Sequence, residues 1–326
     1  MKRREFVRLL LAAAPALPLP SHGQQMRMPR VGVLALQDPE PFWTAFRAGL
    51  RELGYTEGKN IHLELRTADG DRERLDAQAA DLVRDQYDLL ATIQNAPALA
   101  AKRATTRIPI VLISAGDPVA SGIVANLARP GGNITGMSGA IPAGKSVEVL
   151  REIVPSLRRV AVLLHKPDAA FGKAFLEQVQ LVGRSLAVEI RPIWIGPNDD
   201  MEAIFRALAK ERIDAAVIQG SIPLSAVELA LKHRVPASAA SSRFAGTSVL
   251  VNYAQDASDV SRKAAVYVDR ILRGANPGDL PIQQPTKFEL IINQKTARAL
   301  GLNVPQSVLL RAGQGDRLTK VRFWPI

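Results

Sequence analysis

The octapeptide Gly139-Ala140-Ile141-Pro142-Ala143-Gly144-Lys145-Ser146 satisfies GxxxxGK[ST]. In that spacing a loop between strand and helix cradles phosphates on its amides, with the lysine on the phosphates and the hydroxyl on Mg²⁺. Nucleotide chemistry also needs an acid at the end of a neighbouring strand, yet the apolar runs that follow end at His165, Trp194 and Gln219. The competing reading is a crossover between two halves of the chain, with Lys145 on the first turn of a helix; nucleotide binding is carried as the alternative. Other chemistry finds no constellation. The chain has no cysteine, and His22, His62, His165 and His233 show no HxxxH or HExxH spacing, which argues against a metal centre. There is no GxSxG elbow, Ser114 and Ser138 have no histidine at a plausible strand end, and no GxGxxG opens a helix after the first strand. The expectation is a protein without catalytic groups, metal or cofactor.

The elements that position the remaining polar residues are those of an α/β protein. The 326 residues are 47% hydrophobic and 22% charged, a folded composition with length for more than one core. Apolar runs recur at Val31–Leu36, Ile61–Leu65, Asp88–Ile93, Ile108–Ile113, Ile134–Met137, Val160–Leu164, Val188–Trp194 and Asp214–Ile218, with a later one at Ser248–Val251. Helix-period segments lie between them, the pattern of parallel sheets buried on both faces. Asp38 is placed to cap a helix whose stripe is Phe42, Phe46, Leu50 and Leu53; further stripes run through Leu75–Val83, Phe171–Leu186 and Val260–Ile271. The natural division lies near Pro142–Lys145, with about five strands on each side.

The net charge of +11 is concentrated at the ends. Residues 1–23 and 311–326 carry +3 each, leaving +5 on residues 24–310, where opposite charges alternate as in Asp71-Arg72-Glu73-Arg74. Such faces are solvated and give no stripe for nucleic acid. The opening MKRREFVRLLLAAAPALPLPSHG has a basic start and an apolar stretch from Leu9 to Leu19, too short to span a bilayer. It reads as a cleaved export signal, with Arg3-Arg4 resembling the twin-arginine type, so the expected location is the periplasm, free of the membrane.

Three strings carry a resemblance: Phe46 to Ile61 (FRAGLRELGYTEGKNI), Asp117 to Gly136 (DPVASGIVANLARPGGNITG) and Ala264 to Pro305. They resemble the ABC-transporter substrate-binding family that includes tryptophan/tyrosine-type binding proteins. The resemblance implies the periplasmic-binding-protein type I fold: two Rossmann-like lobes with parallel sheets, joined by three crossover strands, with ligand in the cleft. It divides the chain into residues 28–138 plus 254–277 for the first lobe, 139–253 plus 278–310 for the second, and a divergent tail at 311–326. Two departures stand out: Val251-Asn252-Tyr253-Ala254 replaces a string ending Ser-Tyr-Gly, and the pattern is lost after Leu310.

In open α/β sheets ligands sit beyond the carboxyl ends of the strands. The candidate site is therefore Gln37, Asp38 and Phe42 after the first strand, Gln94 and Asn95 after the third, and Ser114, Gly116 and Asp117 after the fourth. The second lobe would add His165, Gly220, Ser221 and Tyr253. Asp117 could pair with a ligand ammonium, Ser114 and Asn95 could bond a carboxylate, and Phe42 or Tyr253 could cover an apolar body. Asp38 reads equally as a helix cap, Asp117 as a turn former and Phe42 as core. The expected partners are an amino-acid-like or aromatic small molecule and an inner-membrane ABC permease with its cytoplasmic ATPase; a ligand-sensing role beside a membrane receptor stays open.

Overall fold

The computed structural model describes residues 27–139 and 142–313. The opening segment read as an export signal lies outside the described residues, as do Ala140, Ile141 and residues 314–326.

The first sheet runs β1 (Arg30–Ala35), β2 (His62–Thr67), β3 (Leu89–Ile93), β4 (Ile110–Ala115) and β5 (Ile134–Ser138) in the spatial order β2-β1-β3-β4-β5, all parallel. Strands β1, β3 and β4 are almost continuously apolar because both faces are covered, whereas the edge strand β2, His-Leu-Glu-Leu-Arg-Thr, is only partly buried. Val31, Val33 and Ala35 enter one core with Phe42, Phe46 and Leu50 of α1 (Phe42–Glu52). Leu34 and Leu90 enter the opposite one with Leu75, Ala79 and Leu82 of α2 (Arg72–Arg84) and the alanines of α3 (Asn95–Ala104). Between β5 and the second sheet comes α4 (Gly144–Ile153).

The second sheet is built from β6 (Arg159–His165), β7 (Glu189–Ile195), β8 (Ala215–Ile218), β9 (Ala237–Ala239), β10 (Val251–Gln255) and β11 (Phe288–Ile292), in the order β11-β10-β9-β8-β6-β7. Only β11 is antiparallel to its neighbour. The helices α4, α5 (Ala169–Ser185), α9 (Gln294–Leu300) and α10 (Gln306–Gly313) cover one face; α6 (Met201–Lys210) and α7 (Ser225–Lys232) cover the other. After β10 the chain returns to the first lobe as α8 (Ala257–Leu272), whose Val260, Ala264 and Val268 complete the core under α1. The approach of α1 to α8 is close enough that a Cβ on Gly49 would lie 2.9 Å from Arg262 Cα. The lobes are thus connected by three passages: after Ser138, after Gln255, and between Gln283, which bridges Met137, and β11. No helix among the described residues is long and apolar enough to cross a membrane.

Several local expectations need correction. The strand expected at Ser248–Val251 begins at Val251, because the Thr247 and Ser248 carbonyls accept from Asn293 Nδ2 (3.0 Å) and Thr296 Oγ1 (2.8 Å) at the start of α9. The pairing of β10 with β11 takes in Ala254 and Gln255, so the second sheet extends past residue 253, while Ile282 packs in a first-lobe core. Asp38 does not cap α1; its carboxylate accepts from Glu40 N–H, and α1 opens after Pro41 with no side-chain cap. Finally, α10 runs to Gly313 and buries Ala312, so packing continues past residue 310.

Candidate functional site

The carboxyl ends of the two sheets face each other across a cleft with two connected chambers. The outer chamber, about 340 Å³, has Gln37, Arg72, Gln94 and Asn95 on its first-lobe wall and His165, Asp168 and Ser221 on its second-lobe wall. The inner one, about 50 Å³, lies between Phe42, Ser114 and Gly116 on one side and Phe171, Gly220 and Gln255 on the other. Gln94, Asn95, Asp168 and Ser221 line both.

The local backbone explains why these residues point inward. β3 ends in Gln94, held at φ +76°, a left-handed conformation that costs a non-glycine residue of order 1 kcal/mol or more. Its N–H donates to Ser114 O (2.6 Å), and the turn leaves the start of α3 without a side-chain cap. The first amides of α3 therefore face the cleft with the positive end of the helix dipole, a favourable place for a ligand carboxylate. Asn95, buried, braces the loop after β4: its Oδ1 accepts from Gly116 N–H (2.6 Å) and its Nδ2 donates to Ser121 Oγ (2.8 Å).

Asp168 shows the opposite arrangement. It occupies the N-cap position of α5, where aspartate ordinarily accepts from the helix amides, yet it makes no cap hydrogen bond. Its carboxylate accepts from Ser221 Oγ (3.2 Å), lies beside Asn95 of the other lobe, and feels the charge of Arg72 on that same wall. Burial raises its pKa above the ordinary value, outweighing the lowering by Ser221, Asn95 and Arg72. His165, at the end of β6, donates its own N–H to Gln219 Oε1 (2.8 Å), and burial, with Arg72 adding to it, pushes the imidazole down to about 4. The ring is neutral at neutral pH, and among the described lining residues of the facing wall Arg72 is the cation that Asp168 confronts.

Other contacts join the lobes directly. Gln255 Nε2 donates to Ser114 Oγ (2.7 Å), while its Oε1 is buried with no partner among the described residues. The Phe171 ring lies on Gly116, where a Cβ would come within 2.8 Å of Cε2. Arg243 Nη2 donates to Gln37 Oε1 (2.6 Å).

Nine of the twelve residues expected at the site line one chamber or both: Gln37, Phe42, Gln94, Asn95, Ser114 and Gly116 from the first lobe, with His165, Gly220 and Ser221 from the second. The other three lie elsewhere. Asp38 is exposed. The Asp117 carboxylate accepts from Val119 N–H (3.1 Å) and Ala120 N–H (2.9 Å), closing the turn after β4 rather than reaching the chambers. Tyr253 stacks on Phe288 at 5.7 Å, on the face of the second sheet that α4 covers. Sequence reasoning missed Asp168, Arg72, Phe171 and Gln255. Asp168 carried a readable signal, an aspartate three residues beyond a strand end and just before a helix, but that same pattern describes an ordinary cap.

The described end of the glycine-rich octapeptide, Pro142–Ser146, spends its amides and side chains on local packing rather than on a phosphate cradle. Ala143 N–H donates to Gln178 Oε1 (3.1 Å), and Lys145 N–H and Ser146 N–H close turns onto Pro142 and Ala143. Gly144 is pressed against α5, Ser146 is fully buried, and Lys145 Nζ pairs with Glu148 (2.6 Å). Lys145→Ala should therefore change stability by no more than about 0.5 kcal/mol, the scale of an exposed helix ion pair. Neither parent nor variant should show a thermal shift with Mg-ATP; an ATP-dependent shift lost in the variant would reinstate the alternative.

The profile of the family described as ABC transporter substrate binding protein matches residues 42–315. A tyrosine-binding protein of Clostridioides difficile is 26% identical over 263 residues, which are 79% of this chain and 75% of that protein. Among solved structures, the ABC domain from Streptococcus pneumonia in complex with L-Trp superposes with a TM-score of 0.81 at 21% identity, covering 86% of this chain and 97% of that one. A conserved domain protein from Vibrio cholerae superposes at 0.80 with 29% identity, covering 87% and 98%. The two lobes and their three passages are those of the type I periplasmic-binding-protein fold.

Proposed function

Because this chain belongs to the family of ABC transporter substrate-binding proteins and is a binding component rather than an enzyme, we propose that it captures an amino-acid-like molecule between its lobes. It works in the periplasm after export by its opening segment and passes the ligand unaltered to an inner-membrane permease driven by a cytoplasmic ATPase. The observation that carries this reading is Asp168, diverted from capping α5 to stand between the lobes beside Asn95 and Ser221 and within the field of Arg72. A carboxylate enclosed by both walls suits an α-ammonium group. The uncapped start of α3, with Arg72 on the same wall, suits the α-carboxylate.

In this assignment Asp168 takes the role that the sequence suggested for Asp117. Asn95, Ser114 and Ser221 supply further hydrogen bonds, and Phe42 and Phe171 cover the apolar part of the ligand. A ligand gripped from both walls binds the closed form better than the open one, which is what drives closure. The tyrosine and L-Trp bound by the relatives agree with this class of ligand.

A thermal-shift screen against the proteinogenic amino acids, aromatic acids and purines tests the reading. At least one α-amino acid at 100 times its Kd should stabilise the folded state by about 2.7 kcal/mol. The corresponding N-acetyl amino acid and amine, each lacking one charge of the zwitterion, should give little or no shift. Stabilisation only by compounds lacking an ammonium group would overturn the assignment.

A further inference from the structure

We propose that Arg243 is a positioning residue, a latch between the lobes that sets the balance of closed and open forms without touching the ligand. Its backbone is anchored in the second lobe. Ser241 caps the short 3-10 turn Ser242–Phe244, Ser242 Oγ donates to Gln255 O (2.6 Å), and Phe244 is fully buried in the core. From this base the guanidinium forks. Nη1 donates to Gly220 O (2.9 Å) in its own lobe, and Nη2 donates to Gln37 Oε1 (2.6 Å) in the other, 206 residues away in the chain. Asp38, beside Gln37, adds attraction from the first lobe. This gives the exposed Asp38 a use that neither capping nor ligand contact supplies.

The arrangement is poised rather than simply adhesive. Nε is buried with no partner among the described residues, and burial lowers the Arg243 pKa, so closing the cleft costs hydration of a charge. The charge-assisted bond to Gln37 and the field of Asp38 offset that cost only when the lobes are together. Arg243 is absent from the lining of both chambers, so its effect reaches the ligand through the closed fraction, and an apparent Kd scales inversely with that fraction. The proposal requires lobes that separate but does not depend on which molecule they capture.

The absence of cysteine allows two spin labels to be placed uniquely. Val119→Cys, beyond β4, and Asn198→Cys, beyond β7, are exposed positions on opposite lobes. Pulsed electron–electron distance measurement on the ligand-free protein should show a short and a long population. Arg243→Ala should reduce the closed-to-open ratio roughly tenfold, the equivalent of one lost hydrogen bond. Arg243→Lys keeps a charge but not the fork, and should reduce the ratio by a smaller factor. Should the alanine variant fail to fold, the lysine variant decides. A distribution in the folded variant that superimposes on the parent, or one in which the short distance gains weight, overturns the latch. That result leaves the ligand assignment untouched, since the thermal-shift screen tests it separately.

Discussion

Asp168→Asn is expected to weaken binding of the amino acid found by the screen by roughly 100-fold, within the ~2–5 kcal/mol lost when one partner of an enclosed charge pair is removed. Isothermal titration measures it directly. The substitution preserves shape and the contact with Ser221, so the loss reports charge. The ligand-free protein should not be destabilised. Burial raises the Asp168 pKa in the folded state, so the folded form disfavours the carboxylate more than the unfolded chain does. Stability associated with this group is therefore greatest at low pH and declines as pH rises from the unfolded value through the raised folded one. Asparagine removes that decline, and the ligand-free variant should melt at the same temperature as the parent or higher at pH 7. Ligand binding runs the other way. The ammonium needs the ionised form, so affinity should be complete above the raised pKa and fall as pH drops through it, and the variant should lose this acid limb. An unchanged Kd in the asparagine variant, with the acid limb intact, would remove Asp168 from the site.

The largest effect on folding is expected at Gly136, in the middle of β5. Its φ is +125°, and a Cβ there would lie 2.6 Å from Leu112 N and closer still to the Leu112 carbonyl oxygen, both backbone atoms of the adjacent strand. Neither can move without breaking the pairing of Leu112 with Gly136. Gly136→Ala should cost about 3 kcal/mol or more, combining backbone strain with overpacking. Urea unfolding followed by circular dichroism gives the value. Gly122→Ala is the control: its φ is +70°, but none of the described residues lies within 4 Å of the added carbon, so only the conformational cost of about 1 kcal/mol applies. Equal losses at the two positions would show that crowding against Leu112 contributes nothing. Because β5 leads directly to Gly139 on the inner chamber wall, a folded Gly136→Ala protein should also bind ligand more weakly.

The α/β class and most strands were legible because a strand buried on both faces must be apolar throughout, as Val31–Ala35 and Leu89–Ile93 are. The amphipathic stripes were legible for a similar reason, and Phe42, Phe46 and Leu50 are core residues. What escaped were elements whose residues lack that signature. β9 is Ala-Ser-Ala, three small residues, and β11 is an antiparallel edge strand, Phe-Glu-Leu-Ile-Ile, that is only partly buried.

At the site, the rule that ligands lie beyond strand ends reached nine residues that line the chambers, because topology alone carries those positions to the cleft. It could not choose among side chains with two local uses. Asp117 and Asp168 are both aspartates just beyond strands, each able to satisfy nearby amides. Asp117 does so and is spent on its turn, whereas Asp168 is drawn instead toward Ser221, Asn95 and Arg72, groups brought near only when two distant stretches of chain fold face to face. Periodicity and composition are local properties and determined the elements and their order. Which carboxylate stands in the cleft, and which arginine bridges it, depends on contacts across more than fifty to two hundred residues, and these exist only in the assembled lobes.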